Sequence, residues 1–226
     1  MDGEVWDEER WEAFLREHDR RIDRYMSLLF RFMTETPPPA EEGSRARKEW
    51  EEDLRQYLIG NGMSPDDILP RLLSGQWSED DDAESAQPYL EQEDQGADMD
   101  DVRHIPVYRD AQRLASQILR WSNDLPGHLK DSALVQFCSH ITQIPANIAK
   151  GHGIGFELEM IGGNIACSKR ALLAANSALD LLLEIKGALY MEQTFYRRIY
   201  EDTYEVRNRI GVHIQDLRGR FELGVD

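Results

Sequence analysis

The chain has no apolar run long enough to cross a membrane, and it has only two cysteines. A transmembrane helix needs about 20 consecutive apolar residues, and no such stretch occurs. The first ten residues, MDGEVWDEER, contain neither a basic segment nor an apolar one, so we expect no secretory signal. Cys138 and Cys167 lie within apolar helical patterns, which favours two buried thiols in a reducing compartment. We therefore expect a cytoplasmic protein.

Basic residues are scarce in the front half of the chain. Residues 1–101 contain 29 acidic and 11 basic residues, a net charge of −18, whereas residues 102–226 contain 14 acidic and 15 basic residues, a net charge of +1. Together they give the formal net charge of −17. Such asymmetry is typical of an acidic arm or interaction tail. An acid-rich surface that only keeps the protein soluble is the alternative.

The front half is predicted to be helical. A heptad-like spacing of apolar residues predicts one long helix over residues 4–33. The three prolines at 37–39 end this helix, because proline has no N–H to donate. Two shorter helices are predicted at 44–59 and 64–73, the second opening on a serine cap followed by proline. These elements form a predicted N-terminal helical region at 1–73.

A second domain is predicted after an acidic linker. Residues 74–101 carry many like charges and few apolar side chains, so we expect them to be disordered. From residue 102 onward, apolar residues recur at steps of three and four in four consecutive segments, 107–125, 134–148, 154–182 and 195–221. The breaks between these segments are short, one of them being the glycine-rich stretch 151–153. Because short loops make sequential helices antiparallel neighbours, residues 102–226 predict an all-α, antiparallel up-down four-helix bundle.

Two motifs within the predicted bundle go beyond helical periodicity. The first is IPANIAKG at 144–151, and the second is AANSALD at 174–180. With VYRDAQRL at 107–114 and the Leu125-Pro126 break, they resemble the four-helix bundle proteins encoded in 23S ribosomal-RNA intervening sequences. The accessory variability protein of diversity-generating retroelements is similar to that family. The resemblance covers about half of the chain and leaves residues 1–101 untouched.

The resemblance implies a ring-like homopentamer without catalytic residues. In the retroelement branch it further implies binding to a reverse transcriptase and to nucleic acid through a basic surface. The motif positions, to which we assign a structural role, are Pro145, Asn147, Gly151, Ser177 and Asp180. Four positions differ from the family pattern, namely Gln143 in place of serine, Lys150 in place of glutamate, Asn176 in place of glycine and Asp180 in place of glutamate.

Residue patterns typical of catalysis or metal binding are missing from the sequence. The histidines and cysteines lack zinc-type spacing, and no Glu-x-x-His pair of a ferritin-like metal site occurs in the bundle segments. We therefore expect no enzyme activity, no cofactor and no metal. Gly162-Gly163 stands out, because each glycine within a helix costs about 1 kcal/mol relative to alanine. The pair indicates either a helix break or the close approach of a neighbouring helix.

Two functions remain compatible with the sequence. The first is a non-enzymatic, homo-oligomeric helical adaptor that contacts a protein partner through residues 1–73, for which the tryptophans Trp11, Trp50 and Trp77 are candidate anchors. The second is a nucleic-acid accessory protein that binds RNA or DNA through arginines of the bundle. The candidate arginines are Arg109, Arg113, Arg120, Arg197, Arg198, Arg207 and Arg209. Under this second hypothesis, the acidic half competes with phosphate for the arginines.

Overall fold

A computed structural model describes residues 5–39, 44–64 and 102–224. The elements assigned within these ranges are all helices, and none of the described residues lies in a strand. The predicted all-α class is therefore confirmed. Within the same ranges, no helix is both long enough and apolar enough to cross a bilayer. The predicted helix at 64–73, the predicted linker at 74–101 and Trp77 lie outside the described residues, apart from Ser64.

Two helices precede residue 65. Helix α1 spans Glu8–Glu35, and helix α2 spans Arg45–Gly60. The start of α1 is set by Asp7, whose carboxylate accepts a hydrogen bond from the backbone N–H of Arg10 at 2.8 Å. Ser44 caps α2 in the same way, accepting from the backbone N–H of Arg47 at 3.1 Å. Such side-chain caps satisfy N–H groups that have no partner inside the helix.

The end of α1 and α2 share a small aromatic core. Phe32 of α1 packs against the rings of Trp50 and Tyr57, at centroid distances of 5.8 and 5.2 Å. The indole Nε1 of Trp50 donates to the carbonyl of Thr36 at 2.7 Å. Leu29, Leu54 and Leu58 are also buried in this core. Packing of this kind, rather than helix propensity alone, stabilises short helices.

Four described helices of 19 to 31 residues follow residue 102. Their bounds are Pro106–Asp124 for α3, Ser132–Ile154 for α4, Ile161–Ile185 for α5 and Gln193–Leu223 for α6. A short 3₁₀ turn at Gly127–Leu129 joins α3 to α4. Asp131 caps α4, accepting from the backbone N–H of Leu134 at 2.8 Å. Helix α3 contacts α4 and α6, α4 contacts α5, and α5 contacts α6. One continuous apolar core fills the space that these helices share.

The described residues divide into two compact units. One unit comprises residues 5–12 together with 102–224, and the other comprises residues 13–39 and 44–64. The first turn of α1 thus belongs with α3–α6, whereas the sequence pattern grouped it with the rest of the 1–73 region. The contacts that produce this grouping form the candidate site.

Candidate functional site

Residues 5–12, named here the N-terminal segment, carry two tryptophans and pack on α5. Trp11 is buried, with 9% of its surface exposed, and Trp6 is half-buried. Their rings meet edge to face at a centroid distance of 5.5 Å. The guanidinium of Arg10 lies 4.5 Å above the Trp6 ring, which adds a cation–π contact. The segment therefore presents a compact aromatic anchor.

Two consecutive glycines of α5 receive this anchor. A Cβ atom at Gly162 would overlap the carbonyl oxygen of Trp6 and lie 2.9 Å from Cδ1 of Trp11. A Cβ atom at Gly163 would lie 2.9 Å from Cδ2 of Trp11 and 2.8 Å from Cγ2 of Ile154. Both glycines lie in the first turn of α5, which begins at Ile161. The predicted helical segment 154–182 is interrupted between Ile154 and Ile161, just before the glycines, so a helix break lies beside the pair. The start of helix α1 also approaches the glycines closely through Trp11.

Ion pairs with cations of α5 and α6 also hold the N-terminal segment in place. The Glu8 carboxylate accepts from Arg218 of α6 at 2.6 and 3.1 Å and from Lys169 of α5 at 3.3 Å. Arg170 donates to Glu12 through Nε at 2.9 Å and through Nη2 at 3.4 Å. The Arg218 hydrogen bond is the main cause that lowers the pKa of Glu8. The two-pronged geometry is the one that arginine favours for carboxylates.

We name the receiving residues the docking site, which consists of Gly162, Gly163, Lys169, Arg170 and Arg218. The sequence pattern singled out the glycines and Trp11 but did not pair Glu8 and Glu12 with their cationic partners. Glu8 and Glu12 are four residues apart at the start of α1 and lie on the same face, which was a usable signal. Their partners could not be found from spacing, because they lie more than 150 residues away in the chain.

Gly151 of the first motif lies at the crossing of α4 and α5. A Cβ atom there would come within 2.8 Å of Asn164 Oδ1 and 3.2 Å of Cys167 Cβ. Asn164 is buried and donates to the carbonyl of Gly155 at 3.2 Å, while Ser168 donates to Asn164 Oδ1 at 3.5 Å. The stretch 151–153 was expected to be an interhelical turn. This expectation is wrong, because α4 continues through Ile154.

Helix α4 ends at the next glycine instead. Gly155 follows Ile154 with φ at +125°, a conformation that L side chains rarely adopt. The chain therefore leaves α4 two residues after Gly153. The Asn164 hydrogen bond to the Gly155 carbonyl holds this exit against α5.

The other motif residues differ in their surroundings. Pro145 lies inside α4, and Asn147 donates from Nδ2 to the carbonyl of Gln143 at 2.8 Å. This local bond is consistent with a structural role at the proline. Ser177 is half-buried on α5 and Asp180 is exposed. Asn176, the residue before Ser177, accepts from Arg207 Nε of α6 at 3.1 Å.

Three of the candidate arginines lie on α3 and four on α6, and the α6 residues Arg207 and Arg209 face different neighbouring helices. Arg209 pairs with Asp110 of α3 and with Glu205, whereas Arg207 bonds to Asn176 of α5. Arg113 also pairs with Asp110, at 3.5 Å. The side-chain amide of Gln117, turned so that its oxygen faces the guanidinium, accepts from Arg198 at 2.9 Å. Arg109, Arg120 and Arg197 are exposed.

Arg113 and Arg209 line a charged cleft between α3 and α6. Its volume is about 130 Å³, and it also contains Asp110, Asp202 and Glu205. Burial raises the pKa of the Asp202 carboxyl. Three carboxylates face two arginines here, so the cleft as it stands does not present a basic surface to phosphate.

The remaining candidate residues are wholly or partly buried inside the chain. Trp50 is only 5% exposed and bonds to Thr36, so its indole packs inside the α1–α2 core. Cys167 is buried and Cys138 half-buried, and no disulfide joins them. Among the described residues, no group of three or more His, Cys, Asp or Glu side chains is placed to hold a metal ion.

Comparison with known proteins identified no relative of this chain. No family model matches the chain, and no curated protein or solved structure matches it either. The resemblance to the intervening-sequence bundle family therefore stays a prediction.

Proposed function

We propose that the protein is a non-enzymatic, homo-oligomeric helical adaptor, in which α3–α6 form an antiparallel up-down four-helix bundle. Each of these helices contacts the next along the chain, and α6 also contacts α3. Two contacts support opposite directions for α5 and α6. Asn176 bonds to Arg207, whereas Lys186, later in the chain, lies 5.4 Å from the ring of Tyr196, earlier in α6. Antiparallel neighbours joined by short loops are the usual arrangement of such bundles.

The main support for a homo-oligomer is a group of exposed apolar residues on the outer surface of α5 and α6. Leu173, Leu183 and Tyr204 are 66%, 58% and 51% exposed. Leu172 and Leu179 flank them on α5, where they are half-buried and pack against the edge of the core. Arg207 contacts α5 and lies three residues after Tyr204, so that tyrosine faces the same side of α6. We name these five apolar residues the outer leucine face.

Exposed apolar side chains are common one at a time, but grouped ones mark interaction surfaces. A second stripe on α5 advances in steps of four, three and four residues. Its members are Leu172, Leu179 and Leu183, with the polar Asn176 between the first two. This second stripe runs beside the stripe that α5 buries in the core. A helix with two apolar stripes can pack on the core of its own chain with one stripe and on a helix from another chain with the other. A second copy of the chain is the partner that a homo-oligomer provides.

The interior of α3–α6 supports a scaffold rather than a catalyst. Apolar side chains fill the core. The buried polar residues of the described chain are Asn164, Ser168 and Thr203, and each makes a hydrogen bond within one helix turn or to the adjoining loop. Groups satisfied in this way serve packing and helix spacing. The pairing of Arg113 and Arg209 with acids likewise favours the adaptor over the nucleic-acid accessory protein.

The test is the mass of the chain in solution. We expect light scattering after size exclusion to give a multiple of the 26.2 kDa chain mass at micromolar concentration. Burial of one leucine contributes roughly 1.5–3 kcal/mol. Leu173→Glu with Leu183→Glu should therefore raise the dissociation constant by at least about 100-fold.

Val135→Glu is the matched control. Val135 is 59% exposed on α4, away from the outer leucine face, so its substitution should leave the mass unchanged. Circular dichroism would check that each variant keeps its helices. A wild-type chain that is strictly monomeric at micromolar concentration would overturn the proposal.

A further inference from the structure

The docking site has the shape and charge to receive a segment with particular chemistry. Gly162 and Gly163 leave room for a tryptophan backbone and indole, and a Cβ atom at either position would collide with them. Arg218 and Lys169 bind one carboxylate, and Arg170 binds another one helical turn further along. The matching ligand is a helix start with two tryptophans and two glutamates spaced four residues apart. Residues 5–12 have this chemistry in every copy of the chain.

The docking site adjoins the outer leucine face. Lys169, which bonds Glu8, precedes Leu173 by four residues and therefore lies one turn away on the same side of α5. Arg170, which bonds Glu12, precedes Leu173 by three residues and is likewise its neighbour on the helix surface. A copy that packs on the outer leucine face would thus lie directly beside the docking site of its neighbour.

Chain connectivity permits the docked segment to come from either copy. The N-terminal segment leads into α1, which is one continuous helix to Glu35. Between Ser64 and Val102 lie the 37 residues 65–101. A chain of that length reaches at most about 130 Å when fully extended. The number of residues between Ser64 and Val102 therefore does not confine the segment to its own copy.

Exchange between copies would use the same residue pairs as docking within one chain. Because the segment and the docking site meet in the same geometry in either case, such exchange is a low-cost way to join protomers. We propose that in the oligomer the docking site holds residues 5–12 of a second copy, so that exchanged N-terminal segments join the subunits. This inference rests on the proposed homo-oligomer and names the interaction that links its copies.

Cross-linking of the full-length chain tests the exchange. Glu8→Cys and Arg218→Cys place one thiol on each side of the ion pair, while Trp6, Trp11 and the Glu12–Arg170 pair remain to dock the segment. Cys138→Ser removes the half-buried native thiol, and Cys167 is fully buried. The double-cysteine chain is treated with a short-armed bismaleimide and run on a denaturing gel.

We expect more than half of the chain to appear as covalent dimers or larger products. Chains with only one of the two introduced cysteines are the controls and should stay mainly at the monomer position. A monomer-sized product with an internal bridge between positions 8 and 218, or no bridge at all, would overturn the exchange. Circular dichroism of the cross-linking variant would confirm that it is folded.

Light scattering of the wild-type chain separates this inference from the proposed function. An oligomeric wild-type chain with internal bridges would contradict the exchange and leave the homo-oligomer standing. A monomeric wild-type chain would contradict the homo-oligomer itself. Covalent dimers from an oligomeric chain support both.

Discussion

At the level of single residues, the Glu8 carboxylate links the start of α1 to two other helices through Lys169 and Arg218. The pKa of Glu8 is lowered from its ordinary value of 4.5, chiefly by the Arg218 hydrogen bond. A depressed acid pKa in the folded state contributes stability above the unfolded value, and that contribution disappears as pH falls through the folded value. Docking of the N-terminal segment should therefore weaken as pH falls below 4.5.

Tryptophan fluorescence would follow this change, because Trp6 and Trp11 become more exposed to water when the segment leaves the glycines. We expect the emission to shift to longer wavelength in acid for the wild-type chain. Glu8→Gln should show an emission shifted part of the way at neutral pH, because Trp11 and the Glu12–Arg170 pair still hold the segment, and it should show a smaller acid-dependent step. Glu9→Gln is the matched control, since Glu9 is an exposed neighbour on α1. Identical acid profiles for wild type and Glu8→Gln would contradict the assignment.

At the level of helices, the distance between α4 and α5 is set by Gly151. Its missing side chain lets α4 approach Asn164 and Cys167 more closely than alanine would allow. Gly151→Ala must push the helices apart or displace buried Asn164, and overpacking of this kind costs about 1–3 kcal/mol. We expect the free energy of unfolding to fall by that amount.

Gly153→Ala offers a control two residues away in the same helix. No atom lies within 4 Å of a Cβ built at Gly153. Alanine there should stabilise the chain by about 0.5–1 kcal/mol, because it restricts the unfolded backbone without meeting a neighbour. Urea denaturation of both variants gives the comparison. Equal effects of the two substitutions would show that the helix crossing does not depend on Gly151.

For the molecule as a whole, charge opposes binding to nucleic acid. The chain carries a net charge of −17. In the α3–α6 cleft, Asp110 and Glu205 engage Arg113 and Arg209. Glu8 and Glu12 of the N-terminal segment occupy three more cations of α5 and α6. Because affinity for DNA comes mainly from cations that contact phosphate, these pairs lower the affinity of the full chain.

We expect the full-length chain to show no binding to a mixed-sequence DNA duplex below roughly 10 µM at low salt, where unpaired basic surfaces bind. Fluorescence anisotropy of a labelled duplex would measure this. Asp110→Asn with Glu205→Gln releases Arg113 and Arg209 and should bind more tightly than the wild-type chain. Micromolar binding by the wild-type chain with a steep salt dependence would favour the nucleic-acid accessory protein instead.

Helix positions were predictable because helix formation leaves a local pattern in the sequence. Apolar residues at steps of three and four are neighbours on one helix face, and the described residues confirm the all-α class. The start of α1 shows the limit of such patterns. Periodicity predicted a helix from residue 4, whereas the Asp7 cap places the first helical residue at Glu8. Similarly, the glycines at 151 and 153 suggested a turn, but the structure keeps them within α4.

Composition and local spacing were sufficient to establish the helical class, the asymmetric charge and the unusual Gly162-Gly163 pair, since each depends on residues close together in the chain. Long-range packing was needed to bring the first turn of α1 onto those glycines, and to pair Glu8 and Glu12 with cations of α5 and α6. It also turned Arg207 toward α5 and Arg209 toward α3. These partners are 31 to 210 positions apart in the chain, and no local pattern can encode a pairing over such separations.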